Sequence, residues 1–205
     1  MPRATRQQTL PFRTWGGRRP GAGRKPAGPT PGVPHRARPV HDHRHPLHVT
    51  MRAVRGLPSL RTHRIFRAAH LSAQTNHLHL LVEADGTVAL SRGMQGLGIR
   101  LAKAVNRRIG RAGRVWSDRS HCRALRTPRE VRDGLIYVLL NGRKHHVTGR
   151  GIDPCSSGAW FGGWRHRIEA PRDPAPVRQP TTWLLRVGWR RSGQIGIDHA
   201  PAGAG

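Results

Sequence analysis

Apolar and polar residues alternate along the segment from Leu47 to Arg52. A two-residue period places the apolar side chains on one face of a strand and the polar side chains on the other. We therefore predict a half-buried β-strand here. A weaker pattern between Ile65 and Ala73 predicts a second strand, which would end close to Asn76.

The segment from His77 to Glu83 shows this alternation more clearly. One face carries apolar side chains, those of Leu78, Leu80 and Val82. His77 and His79 lie on the other face, so both imidazoles point the same way from one rigid strand. Such a pair can give a divalent ion two nitrogen ligands. The triplet is a weak signal alone, because the chain has 14 histidines.

A helical period follows from Thr87 to Ile109 and ends at Gly110. Its apolar residues recur at helical spacing, at Leu90, Met94, Leu97, Leu101, Val105 and Ile109. This spacing predicts an amphipathic helix. Its basic residues form either a solvated face or a cradle for DNA, and they include Arg100, Lys103, Arg107 and Arg108. The stretch from Val115 to Leu125 is predicted to return to the sheet as a strand.

A second helix is predicted to begin at Thr127-Pro128-Arg129-Glu130. This sequence combines an N-cap hydroxyl, a proline at the first helical position and a glutamate at the third, which is the pattern of a capping box. The buried face is predicted at Val131, Leu135, Val138 and Leu139, and a polar stripe at Asp133, Tyr137, Asn141 and Lys144. Tyr137 is the only tyrosine of the chain. A tyrosine beside a helix is usually a core residue with a satisfied hydroxyl, so Tyr137 alone indicates no chemistry.

The charge of the chain points to a polyanionic partner. Lys and Arg number 37 against 10 Asp and Glu, which gives a formal net charge of +27. Nucleic acid would neutralise this charge, and its binding should weaken steeply as salt rises. The charge alone fits a ribosomal protein equally well.

Residues 1–44 are rich in Gly, Pro and Arg and have no hydrophobic period, so we expect a basic, disordered arm. Within the arm, one cationic stretch resembles the arginine and glycine hooks that lie in A·T-rich minor grooves. Its basic residues are Arg18, Arg19, Arg24 and Lys25. A solvated tail without sequence preference is the plainer alternative.

Neither the cysteines nor the apolar runs indicate an oxidising compartment or a membrane. Cys122 and Cys155 form no CxxC pair, so neither a disulfide framework nor a cysteine zinc site is indicated. The longest apolar run, from Leu135 to Leu140, is too short to span a bilayer, and the N-terminal residues lack an apolar signal core. We therefore expect a cytoplasmic protein with no membrane partner.

Three features carry a resemblance to a known family. In chain order they are Asn76 with the triplet His77-Leu78-His79, then Trp116, then the helix Tyr137-Val138-Leu139-Leu140-Asn141. Together they resemble the single-tyrosine HUH transposases, and more narrowly the REP-associated tyrosine transposases and their relatives among bacterial insertion sequences. The resemblance runs from about His45 to Arg150, roughly half of the chain.

The resemblance implies an α+β domain with a ferredoxin-like antiparallel sheet and helices packed on it. It implies that His77 and His79 bind Mg²⁺ or Mn²⁺, that Asn141 completes the metal site, and that Tyr137 is the nucleophile. Tyr137 would attack a phosphate of single-stranded or hairpin DNA and form a covalent 5′-phosphotyrosine, which a second DNA end could resolve by rejoining. Trp116 or another aromatic residue could stack on a splayed base. Whether one copy suffices or a homodimer is needed stays open.

The chain is expected to divide into an arm at 1–44, a transposase-like catalytic domain at 45–150 and an extension at 151–205. Relatives have a full helix and a strand where this chain has about two dozen residues, from Ala53 to Asn76. We therefore expect a shortened first helix, which would uncover one face of the sheet and could make this copy degenerate. In the extension, we expect aromatic residues packed on the domain, a Pro-rich linker at 171–180 and a short docking helix at 182–191.

Other classes of function fit less of the sequence. A non-catalytic basic DNA- or RNA-binding protein explains the charge but not the arrangement of His77, His79 and Tyr137. A nuclease with two metals held by carboxylates is disfavoured, because Asp and Glu number only 10. A replication initiator or relaxase of the HUH class would share the chemistry and differ in its DNA products.

Overall fold

The structure is a computed structural model that describes residues 39–62, 72–144, 151–199 and 201 of the chain, without the side chains of residues 72, 143 and 144. The basic arm with Arg18, Arg19, Arg24 and Lys25 lies outside the described residues. Most of the predicted second strand also lies outside them. Of the segment from Ala53 to Asn76, where the shortened helix is expected, residues 53–62 and 72–76 are described and contain no helix.

One antiparallel sheet contains the four described strands, in the order β2-β3-β1-β4. They are β1 (Leu47–Arg52), β2 (Ser72–Ala73), β3 (His77–Val82) and β4 (His121–Ala124). The predictions for the first and third strands are confirmed. The fourth is shorter than the predicted Val115 to Leu125, because Trp116 forms only an isolated bridge with Ala53. The fold is α+β with an antiparallel sheet, as expected.

The two long helices of the described residues have the predicted starts. Helix α1 (Thr87–Ile109) ends at Gly110, whose φ of 63° lies in the left-handed region that favours glycine. Helix α2 (Pro128–Lys144) begins with the predicted capping box. The Glu130 N–H donates to Thr127 Oγ1 at 3.2 Å, and the Thr127 N–H donates to Glu130 Oε2 at 3.1 Å. No helix among the described residues is apolar over a length that would cross a membrane.

The two long helices cover opposite faces of the sheet. On one face, α1 shares a core with the apolar residues of β1 and β3, and Val49 and Leu78 are 0% and 1% exposed. On the other face, α2 packs against Leu81. A Cβ at Gly134 of α2 would lie 3.5 Å from Leu81 Cδ2 and 2.9 Å from Leu125 Cδ1, so this glycine lets the helix approach closely. The expected uncovering of a sheet face is therefore not seen.

Described residues after position 150 contribute to a core that also contains the buried face of α2. They include helix α3 (Trp183–Arg186) and two 3-10 helices, Ser157–Trp160 and Gly188–Ser192. Their buried apolar side chains in this core are Trp164, Leu184, Trp189 and Ile195. The predicted docking helix is thus two short helices packed on α2. The linker expected at 171–180 has no regular secondary structure.

Candidate functional site

Four aromatic side chains meet between the sheet and α2. They are His48 of β1, His77 and His79 of β3, and Tyr137 of α2. The ring centroids of His77 and His79 lie 4.6 Å apart. The Tyr137 centroid lies 4.8 Å from that of His79 and 5.4 Å from that of His48, edge-on to both. The structure therefore brings the predicted nucleophile and the predicted histidine pair into one cluster.

Strand register accounts for the histidine side of this cluster. Thr50 of β1 is paired directly with His79 of β3, and His48 is paired with Leu81. Residues two apart on a strand share a face, so His48, Thr50 and His79 all point away from the α1 core. Antiparallel neighbours on one face lie close enough for their side chains to interact.

Hydrogen bonds fix both imidazoles of the pair. His79 Nδ1 lies 3.2 Å from Thr50 Oγ1 and 3.1 Å from His48 Nε2. His77 Nδ1 lies 2.7 Å from Asn76 Oδ1, which is an acceptor, so this nitrogen is the donor. When Nδ1 also carries the proton in His79, the Nε2 atoms of both rings keep their lone pairs, which is the form in which imidazole binds a metal.

Asn141 lies one helical turn beyond Tyr137 and is 0% exposed. Within the described part of the chain, neither its Oδ1 nor its Nδ2 has a hydrogen-bond partner. A buried polar group without a partner costs about 1–3 kcal/mol, so an additional ligand at this amide would stabilise the fold. Exposure therefore differs along the predicted polar stripe: Asp133 is exposed, Tyr137 is half-buried and Asn141 is buried.

The residues present fit a divalent ion only if oxygen ligands join the imidazoles. Among the residues that the structure describes, no group of three or more His, Cys, Asp or Glu side chains is placed to hold a metal. His77 and His79 offer nitrogen lone pairs, and the buried amide of Asn141 offers an oxygen. Mixed imidazole and oxygen ligands are compatible with Mn²⁺ or Mg²⁺.

His48 and Thr50 belong to the site but were not singled out in the sequence. Burial lowers the pKa of His48 to about 4, with further lowering by the charges of Arg123 and His121, so His48 is neutral at pH 7. The alternation from Leu47 to Arg52 predicts that both residues share a face. It does not show that Thr50 lies opposite His79, because register depends on the pairing of distant strands.

The predicted DNA-binding residues of α1 lie on the other side of the sheet from Tyr137. Their side chains are exposed at Arg100, Lys103, Arg107 and Arg108. Trp116 is half-buried against the α1 core and donates its indole N–H to the Gly98 carbonyl at 2.9 Å. The structure therefore does not bring Trp116 or the α1 cations into the cluster around Tyr137.

A groove of about 860 Å³ opens beside His79. The groove runs along the part of β3 that extends past its pairing with β2. Residues of the C-terminal extension form its outer wall. This wall contributes three aromatic side chains and three guanidinium groups, from Trp160, Phe161, Trp189, Arg178, Arg186 and Arg190. The sequence did not predict this groove, because the residues that line it are distant in sequence. Arg190, for example, follows His79 by more than a hundred residues.

The chain matches no protein-family model, no curated protein and no solved structure.

Proposed function

We propose that this protein is a transposase-like enzyme of the single-tyrosine HUH type, which cleaves and rejoins single-stranded or hairpin DNA through Tyr137. The observation that carries the proposal is the contact between Tyr137 and His79, whose ring centroids lie 4.8 Å apart. The resemblance in sequence requires a phenol beside an imidazole pair. A basic protein that only binds nucleic acid has no need of that arrangement.

The sheet supports the same proposal. In a ferredoxin-like sheet, the order β2-β3-β1-β4 places the first and third strands in the centre. Here β3 is central and carries the histidine pair, and α2 covers the face to which the pair points. A central strand is a rigid support for residues that must hold a fixed geometry.

In the proposed reaction, the Tyr137 hydroxyl oxygen attacks the scissile phosphorus in line. The bond from phosphorus to the 3′ oxygen breaks, and the phenolic proton is lost to solvent while the departing oxygen takes one up. The 5′ phosphate remains on Tyr137, and the 3′ hydroxyl of a second DNA end can reverse the step. Ring contacts with His48 and His79 orient the phenol, which lowers the entropic cost of attack.

His77, His79 and Asn141 are the residues that would hold Mg²⁺ or Mn²⁺. When bound, such an ion would supply Lewis-acid polarisation of a non-bridging phosphate oxygen. Asn76 and Thr50 act through the two histidines, because their side chains fix the orientation of the rings.

The groove beside His79 supports a single-stranded substrate. Guanidinium groups can bind backbone phosphates and aromatic rings can stack on bases, and the groove wall has both. The exposed cations of α1 are suited to flanking DNA rather than to the scissile phosphate, because the sheet separates them from Tyr137. The net charge of +27 favours a polyanion throughout.

The test is a search for a covalent adduct. The full chain is incubated with labelled DNA hairpins and single strands in the presence of Mn²⁺, and the products are separated under denaturing conditions. The wild type should give a labelled protein band, and Tyr137→Phe should give none while binding the same DNA. DNA binding by the wild type without any adduct would instead support the non-catalytic basic protein. Mapping the DNA ends distinguishes rejoining from a nick that primes synthesis.

A further inference from the structure

Gln74 has a buried amide that the proposed site does not yet use. Its side chain is 1% exposed, and within the described part of the chain neither Oε1 nor Nε2 has a hydrogen-bond partner. Buried polar groups in folded proteins almost always bind a protein group, a water or an ion. The amide of Gln74 therefore points to a ligand.

Gln74 lies directly opposite His77. The register of β2 and β3 pairs Ala73 with Leu78, and the Gln74 N–H donates to the His77 carbonyl at 2.8 Å, so the register continues by one pair. Residues opposed in this way share a face, with Cβ atoms about 4.5–5.5 Å apart. Ala73 and Leu78 both point into the α1 core. By alternation, Gln74 points to the opposite face, with His77 and His79.

Asn141 approaches the same face from the other side. It is carried by α2, which packs against both β2 and β3. Like Gln74, it is buried and its amide has no partner among the described residues. Strand register places Gln74 on the face of the sheet that carries the histidine pair. Asn141 follows Tyr137 by one helical turn, so it is expected to point to that same face.

We propose that Gln74 is a further ligand of the divalent ion, an inference that rests on the proposed function. The site then consists of the Nε2 atoms of His77 and His79 and the amide oxygens of Gln74 and Asn141. All four donors are uncharged, so the bound ion keeps its full charge for a phosphate oxygen. This ligand set also explains why two buried amides have no partner among the described residues, because each would bind the ion.

The experiment measures Mn²⁺ binding to the full chain without DNA, by the loss of the electron paramagnetic resonance signal of free Mn²⁺. Gln74→Met removes the oxygen but keeps the size, and should weaken binding by about ten-fold or more. Gln74→Glu adds an anionic oxygen at the same reach and should tighten binding. Gln95→Met is the matched control, because Gln95 is exposed on α1 and should leave binding unchanged.

Thermal melting separates a ligand from a structural amide. Without metal, Gln74→Met should melt no lower than the wild type, because it removes a buried amide for which the described part of the chain provides no partner. With Mn²⁺ it should gain less in melting temperature than the wild type. A lower melting temperature without metal, combined with unchanged Mn²⁺ binding, would overturn the inference and make Gln74 a structural residue.

The failure of this inference can be told apart from failure of the proposed function. If His79→Ala abolishes Mn²⁺ binding while Gln74→Met and Gln74→Glu bind as the wild type does, Gln74 is not a ligand and the enzyme proposal stands. If the wild type shows no Mn²⁺ binding that depends on His79, the inference is overturned. The covalent adduct with Tyr137 then decides separately whether the chain is an enzyme.

Discussion

The ring of Tyr137 stands edge-on to the imidazole of His79, with an interplanar angle of 89° and centroids 4.8 Å apart. His79 belongs to the central strand β3, and Tyr137 belongs to helix α2, which follows much later in the chain. Their contact depends on α2 lying on the face of β3 that is opposite to α1. Helix α1 packs on the apolar face, which leaves the histidine face to α2.

Because Tyr137 and His79 of the same chain are in contact, each copy should hold a complete site. Mixing Tyr137→Phe with His79→Ala should therefore give no covalent adduct, although each variant supplies the residue that the other lacks. The measurement is the yield of labelled adduct in an equimolar mixture, compared with each variant alone and with the wild type. Recovery of adduct in the mixture would mean that two chains share their residues in a homodimer.

Thr50 should act on the metal site without touching the ion. Thr50→Val keeps the shape but removes the hydroxyl 3.2 Å from His79 Nδ1. Loss of such an orienting group weakens metal affinity by about ten-fold or more in comparable sites. His48 remains as a second neighbour of the same nitrogen, His79 Nδ1. We expect a rise of that order in the Mn²⁺ dissociation constant, with little change in melting temperature. Thr50→Ser restores the hydroxyl and should restore affinity, and equal affinities for the two variants would refute this role.

His48 should make the fold sensitive to mild acid. Its pKa is lowered to about 4 in the folded protein, mainly by burial, whereas an unfolded histidine titrates near 6.5. The unfolded chain therefore takes up this proton first, and the stabilisation present above about pH 6.5 is lost as the pH falls toward 4.

The measurement is the free energy of unfolding of the wild type and His48→Gln between pH 4 and 7. The wild type should lose up to about 1.4 kcal/mol more per pH unit than the variant within the window between the two pKa values. Comparing the two proteins removes the contribution of the other histidines. Parallel curves would show that His48 is protonated equally in the folded and unfolded states.

The sequence predicted local elements well because their signals are local. The helical period of α1, the left-handed glycine at Gly110 and the capping box of Thr127 and Glu130 each lie within a few residues. The alternation in β3 also showed that His77 and His79 share a face. These features depend on backbone periodicity, which can be read without knowing the partner strand.

Features that depend on distant parts of the chain were not predicted. The support of His79 by Thr50 requires the register of β1 and β3. Trp116 looked suited to stacking on a base, but its indole N–H is bound to Gly98 on the far side of the sheet. Gln74 carries no motif, and the role proposed for it rests on burial opposite His77, which only the folded hairpin shows.

Glu83 fastens the wall of the groove to the end of the strand that carries the histidine pair. Its two carboxylate oxygens accept from the backbone and hydroxyl groups of Thr181 and Thr182, at distances between 2.5 and 3.1 Å. Thr182 also caps α3, whose Leu184 is buried in the core beneath α2. Glu83→Gln should therefore loosen α3 and the groove wall, at a cost of about 1–2 kcal/mol.

Hydrogen exchange of the backbone amides of residues 182–189 measures this loosening. Exchange should be faster in Glu83→Gln than in the wild type at neutral pH, and unchanged in Asp85→Asn, which removes the same charge from an exposed neighbouring residue.

Burial raises the pKa of Glu83, but hydrogen bonds from Thr182 and Thr181 outweigh it and hold the pKa below its ordinary value. The contact thus persists above the ordinary pKa and is lost as the pH falls through the lowered one, where wild type and Glu83→Gln should converge. If Asp85→Asn accelerates exchange equally, the effect comes from net charge and not from these four hydrogen bonds.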